Sequence, residues 1–268
     1  MNGPVHPRLA MNSLSTASWS LDQDLALYAE LGVTAAAWYV DKLEQHGLDD
    51  AIDRIGRSGI RSTQVFARGF TLHDRSSWAA DQARIGRALG AAAALGAPWV
   101  ALTAGAAGHL GWDAAADALG EALAPLRHHG VHIAIEPSLP VRVEIGFVHS
   151  LRDGVDLAER LDVGTVMECN YVFAERDLAA TLRRAGERLA TVQVSDLVPP
   201  STALPDRAVP GDGVIPLAAI LGLAFEAGYR GDVEIEMLGP RIEAEGYDSA
   251  VRRAVAAVDR ILQELDPR

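Results

Sequence analysis

A single cysteine, Cys169, in 268 residues excludes an internal disulfide. That fits a reducing compartment and sets the expectation of a cytoplasmic protein. No long basic run occurs, and the net charge is −12. An acidic surface repels a phosphodiester backbone, so no nucleic-acid partner is expected. The most apolar stretches are Ala-rich and interrupted by Gly, Arg or Asp, and none reads as a membrane span. The N-terminal MNGPVHPRLAMNS lacks a basic segment followed by an apolar core, so no signal peptide is expected. Neither a GxGxxG fingerprint after the first strand nor a GxxxxGKS/T loop is found. The open doubly wound nucleotide-binding sheet, the structural alternative, therefore loses its usual marks.

What is present is an alternation. The chain is 49% hydrophobic and 22% charged, ample for a large core. Short β-branched or aromatic runs are each followed by an Ala/Leu/Arg segment of helical period. The strand candidates are LAMNSLST (9–16), TAAAWYV (34–40), RSTQVFA (61–67), PWVALTAG (98–105), VHIAIEP (131–137), VGTVMEC (163–169), TVQVSD (191–196) and DVEIEM (232–237). Gly32, Gly59, Gly96, Gly130 and Gly228 stand where helices should stop before a strand. Eight βα units at a spacing of about 30 residues, with no Gly/Ser linker between them, predict one (β/α)8 barrel spanning 1–268.

Polar residues end four consecutive predicted strands: Glu136, Glu168, Gln193 and Glu236. A carboxylate at the end of a buried strand is costly unless paired or on a metal. In a closed barrel adjacent strand ends lie side by side, at the rim where such enzymes build their sites. Three carboxylates and an amide oxygen suit one divalent ion, Mg²⁺ or Mn²⁺ ahead of Co²⁺ or Zn²⁺. Each residue taken alone also reads as a strand-end charge reaching water.

From Glu136 onward the motifs IEP, VQVSD followed by R-x-x-PGDG, and GYRGDVEIEM resemble those of the sugar-phosphate isomerase/epimerase superfamily. These are the xylose-isomerase-like barrels, with the AP endonuclease family 2 proteins among them. Members include tagatose and allulose epimerases, hydroxypyruvate isomerase, inosose dehydratase and bacterial 3-dehydroshikimate dehydratase. The resemblance covers most of the chain. It implies a metal held at the positions of Glu136, Glu168, Gln193 and Glu236, and a small-molecule substrate. It also leaves room for a homo-oligomer, since members are often dimers or tetramers. Two departures stand out. The family's strand-six motif is usually Asp-x-x-His, here Glu168-Cys-Asn-Tyr171, and the strand-seven ligand is Gln193 instead of the commoner His. Gln at that position resembles the dehydratase branch.

The resemblance makes Arg207 a substrate-binding candidate, although a loop salt bridge would serve equally. Lys42, Tyr171 and Trp19 are further substrate-binding candidates; a solvated Lys42 and plain packing of Trp19 are the plainer readings. Trp38, Phe66 and Trp112 also fall near strand ends. His109 is a candidate acid or base, Asp196 is expected to fix neighbouring groups, and Glu234 lies one layer below Glu236 without an assigned role. His128 and His129 end a helix and suit its dipole.

The expected activity is a metal-dependent isomerase or epimerase acting on a small polyhydroxylated carbonyl compound: a sugar, sugar phosphate or cyclitol. Glu136 or Glu236 would take the proton next to the carbonyl, giving an enediolate. Loss of a β-hydroxyl would instead make the chain a dehydratase, the runner-up. The endonuclease IV branch uses three zinc ions and many His and Asp ligands, which eight histidines and an acidic surface do not match. A barrel that only binds is the remaining alternative, and a metal titration separates it from the others.

Overall fold

The computed structural model describes residues 5–126 and 130–266. His128 and His129 lie outside them.

Eight parallel strands close on themselves in sequence order: β1 (Leu9–Asn12), β2 (Ala35–Tyr39), β3 (Arg61–Ala67), β4 (Trp99–Thr103), β5 (His132–Glu136), β6 (Gly164–Glu168), β7 (Leu189–Val194) and β8 (Val233–Ile235). β1 pairs with β8 through Leu9↔Val233 and Met11↔Ile235, which seals the barrel. The helices are α1 (Leu21–Leu31), α2 (Val40–Glu44), α3 (Leu48–Ser58), α4 (Trp78–Leu95), α5 (Trp112–Leu123), α6 (Leu151–Leu161), α7 (Cys169–Val172), α8 (Leu178–Ala185), α9 (Leu217–Glu226), α10 (Pro240–Glu245) and α11 (Tyr247–Leu265). No helix among the described residues is long and apolar enough to cross a membrane.

Each predicted strand is found, β3 with the predicted bounds. The LAMNSLST segment is strand only to Asn12, and Ser13–Thr16 turn into a short 3-10 helix. Helix starts and stops follow local chemistry. Ser20 and Gln23 form a reciprocal capping box at the start of α1, and Gly32 ends it in the left-handed region with φ 71°. Apolar side chains between the strands and the helix ring form two large clusters. A small layer of Phe66, Ala101, Ala134 and Val166 fills the barrel's inside. Below the rim, Glu234 is fully buried and accepts from Thr63 Oγ1 (2.6 Å) and Gln64 Nε2 (2.7 Å) across the barrel. Its role is a cross-brace from β8 to β3, and burial pushes its carboxyl up to about 7 against those two hydrogen bonds.

Lys42 is the chain's sole lysine. It sits on the one-turn helix α2, which points its ammonium at the 3-10 turn after β1 and at α1. Nζ lies 2.5 Å from Asp24 Oδ2 on α1 and donates to the carbonyls of Thr16 (2.8 Å) and Ser13 (3.1 Å). The substrate-binding role expected of Lys42 is therefore not supported: its donors are spent on a buried ion pair. Burial raises Asp24 to about 6, against the pull of Lys42. A folded pKa above the unfolded 3.8 means that this group's contribution is full below the unfolded value and lost as pH rises through about 6. Replacing Lys42 by Met should cost about 3–5 kcal/mol near neutral pH, because Asp24 is left charged without its cation, with only the Thr16 hydroxyl bonded to it. In urea unfolding the deficit should shrink at about pH 5, where Asp24 can keep a proton. An equal deficit at both pH values would show that Asp24 does not titrate between them.

Candidate active site at the carboxyl rim

A cavity of about 280 Å³ opens at the carboxyl ends of the strands, with Glu136, Glu236, Arg207 and Tyr171 in its wall. A larger hollow of about 540 Å³ lies at the opposite rim, beside Trp99, His132 and Asp162. Barrels of this kind do not build active sites at that end, and its charged groups face water.

Of the four strand-end residues, Glu168 and Glu236 meet at one atom, Gln193 joins them through Glu236, and Glu136 stands apart. Arg207 Nη1 lies 2.7 Å from Glu236 Oε1, 3.3 Å from Glu168 Oε2 and 2.9 Å from the Glu236 carbonyl. Its Nη2 donates to the Tyr171 hydroxyl at 2.7 Å, with the guanidinium over the Tyr171 ring. Glu236 Oε2 accepts from Gln193 Nε2 (2.6 Å) and from Asn12 Nδ2 (2.9 Å) at the end of β1. Glu168 Oε1 accepts from the Asn170 amide (2.9 Å), capping α7, and from Ser195 Oγ (3.0 Å). Glu136 differs from both. It is buried, faces the cavity and accepts no hydrogen bond from any described residue. Burial, and next the charge of Glu236, push its carboxyl well above the usual range. Burial likewise raises Glu168, against Arg207's charge, and lifts the Tyr171 hydroxyl to about 12.

Arg207 is held by a loop that hangs on Asp196. Oδ2 of Asp196 accepts the amides of Gly211 (2.9 Å) and Gly213 (3.0 Å), and Oδ1 those of Leu197 (2.8 Å) and Ile215 (3.0 Å). Asp196 and Ala208 also exchange backbone hydrogen bonds, and the Arg207 amide donates to Leu238. Gly213 is required here, since a Cβ would collide with Leu197 O and Asp196 Oδ1.

Other candidates fall elsewhere. His109 is exposed, edge-on to His73 at 6.5 Å, and outside the cavity wall. It lies in the long β4–α5 loop, which carries it away from Glu136, and so loses its place as acid or base. Trp19 packs against Tyr247 of α11 at 5.8 Å, because the 3-10 turn after β1 leads it outward. Trp38 is core and Trp112 packs on Phe147, while Phe66 does line the cavity. The sequence reading missed Asn12 and Ser195. Both carry the same signal as Gln193, a polar residue ending an apolar strand. Arg68 and Arg142 in the cavity wall were missed too; they sit in loops, where no periodicity marks them.

The donors are hard oxygens of the kind a divalent ion takes. Gln193 Oε1 is buried with no hydrogen-bond partner, the mark of an acceptor left over. Yet among the described residues no three acidic, His or Cys side chains stand close enough to share one ion. Arg207 Nη1 lies between Glu168 and Glu236 and pairs with both. The donor set therefore fits a cation, in a position that a guanidinium nitrogen fills.

The fold and rim define a (β/α)8 barrel with a carboxylate-lined site at its carboxyl end. Residues 25–258 match the model of the xylose isomerase-like TIM barrel family, and the chain belongs to it. A search of the curated proteins returned no match. Among solved structures, protein SMc04130 from Sinorhizobium meliloti 1021 is 26% identical, with TM-score 0.83, over 95% of this chain and 98% of that one. An IolI protein with a bound zinc atom is 19% identical, with TM-score 0.82, over 97% and 100% of the two chains. A D-psicose 3-epimerase with D-tagatose from Clostridium cellulolyticum H10 is 17% identical, with TM-score 0.73, over 96% and 99%.

Asp196→Ala should lower stability by about 3 kcal/mol, since four amides lose their acceptor together. Hydrogen exchange at Gly211, Gly213 and Ile215 should accelerate with it. Unchanged protection of those amides would mean that the loop is held by something else.

Proposed function

We propose that this chain is an isomerase or epimerase that moves a proton on a small polyhydroxylated carbonyl compound. The observation that carries the reading is the pair at the rim. Glu136 is a buried carboxyl with no hydrogen bond and a raised pKa. Beside it in the same cavity, Glu236 is ion-paired with Arg207. Carboxyls in such unlike settings suit opposite halves of a proton transfer. Glu236 accepts the proton next to the substrate carbonyl, and Glu136 returns one. Return to the other face of the same carbon is epimerisation; return to the neighbouring carbon is isomerisation. Arg207, with Tyr171 oriented by it, donates to the oxygen on which charge develops. Support comes from the solved relatives, one described with zinc and one as a sugar epimerase.

Glu136, Glu168, Gln193 and Glu236 would hold a divalent ion. When bound it would supply Lewis-acid polarisation of the carbonyl. Gln193 at the strand-seven position favours a second reading, a dehydratase in which a β-hydroxyl leaves instead of the proton returning.

The test is exchange of substrate α-protons with D₂O across keto sugars, inososes and dehydroshikimate, with product analysis. Glu136→Gln and Glu236→Gln should each slow turnover about 10²–10⁴-fold. Exchange at wild-type rate in both variants would remove these residues from the chemistry. The cation position gives a second prediction, read by calorimetric Mn²⁺ titration. Arg207→Met should bind Mn²⁺ at least about tenfold more tightly than wild type, having lost its internal competitor. Equal or weaker binding would show that guanidinium and ion do not contend for the same oxygens.

A further inference from the structure

The cavity is polarised. Its floor holds Glu136 and Glu236 beside Arg207, which also reaches Glu168. Its mouth holds two more arginines, Arg68 just after β3 and Arg142 in the β5–α6 loop. The chain carries 36 acidic residues against 24 basic ones, and most arginines around the barrel are taken up by an acidic partner. The mouth pair is not fully compensated. Arg142 meets Glu144 through Nε alone, and among the described residues its Nη groups have no acceptor. Arg68 has no carboxylate within ion-pair distance and no side-chain hydrogen bond among the described residues, and its charge acts on both Glu144 and Tyr39. Two guanidiniums thus face one carboxylate, and one positive charge is left over at the entrance.

A hydroxyl donor stands with them. Thr103, at the end of β4, lines the same cavity, and its Oγ1 accepts the Gly69 amide at 2.9 Å. That bond uses a lone pair and leaves the hydroxyl proton to donate. Arg68 and Thr103 also wall an adjoining hollow of about 170 Å³, which they share with Glu144 and with Asp81, itself paired with Arg84. A neutral polyol has no use for a spare guanidinium charge, whereas planar forks match the oxygens of a carboxylate or phosphate.

We infer that Arg68, Arg142 and Thr103 form an anion subsite at the cavity mouth. The substrate is then a polyhydroxylated carbonyl compound with an acidic group, carboxylate or phosphate ester, at the end remote from the reacting carbon. This rests on the proposed proton-transfer reading for the identity of the reacting end, and on the mouth alone for the anion.

The test is binding, so it does not depend on turnover. Ribitol, ribonate and ribitol 5-phosphate, none of which has a carbonyl to react, are titrated calorimetrically into the full chain. At least one of the two anions should bind about 10- to 100-fold more tightly than ribitol, and the ratio between them says whether the group is carboxylate or phosphate. Arg68→Gln should remove most of that advantage and weaken ribitol far less than it weakens the anions. Arg142→Lys should keep part of it, because a charge remains while the fork is lost. Anions that bind no better than ribitol would overturn the subsite, as would an advantage that survives in the Arg68→Gln, Arg142→Gln double variant. Anion binding without α-proton exchange on any carbonyl compound would instead retain the subsite and sink the isomerase reading.

Discussion

The rim of this barrel depends on one guanidinium. Glu168 and Glu236 are buried carboxylates, and neither could remain charged there without a partner. Arg207 meets both through a single nitrogen and spends its second arm on Tyr171. Around that nitrogen the neutral groups fall into order: Gln193 and Asn12 on one oxygen of Glu236, Ser195 and the α7 amide on one oxygen of Glu168. Glu136 is left outside this network, and that exclusion is what makes it chemically different from its neighbours.

The same arginine explains why the loop after β7 is built so firmly. A buried cation must be brought to its place by backbone, since a mobile loop would leave the carboxylates alone part of the time. Four amides on the Asp196 side chain and a two-way backbone pairing with Ala208 achieve this. The Gly-rich second half of the loop from β7 to α9, irregular in sequence, is thus held in place by its own hydrogen bonds.

Much of this was legible beforehand, and the limits are physical. The strand periodicity, the glycines at helix ends and the polar residues closing apolar strands pointed to the barrel and to Glu168 and Glu236, which meet Arg207, with Gln193 on Glu236 and Glu136 outside that network. Asn12 and Ser195 carried the same sign, but as neutral side chains they did not stand out beside carboxylates. Lys42 misled because α2, like α7 and α10, is too short to show a helical period, and one turn of helix was enough to point the ammonium at Asp24. His109 misled because a long loop follows β4, and loop shape is not written in residue spacing. Arg68 and Arg142 are the counterpart: loop residues whose position in the mouth only the fold reveals.

The hydrogen bond from Asn12 to Glu236 spans 224 residues of chain. It joins the end of the first strand to the residue just after the last, across the seam where the barrel closes. A partly synthesised chain on the ribosome can pair its early strands one after another, since each contact is to the next strand. The pocket has no such gradual history. Glu236, the Arg207 guanidinium and the Asn12 and Gln193 amides come from the ends of β8, β7 with its loop, and β1, so they meet only when the final strand has emerged and found the first, a contact with a high entropic cost of closure. Until that moment the growing protein carries most of its barrel and none of its chemistry.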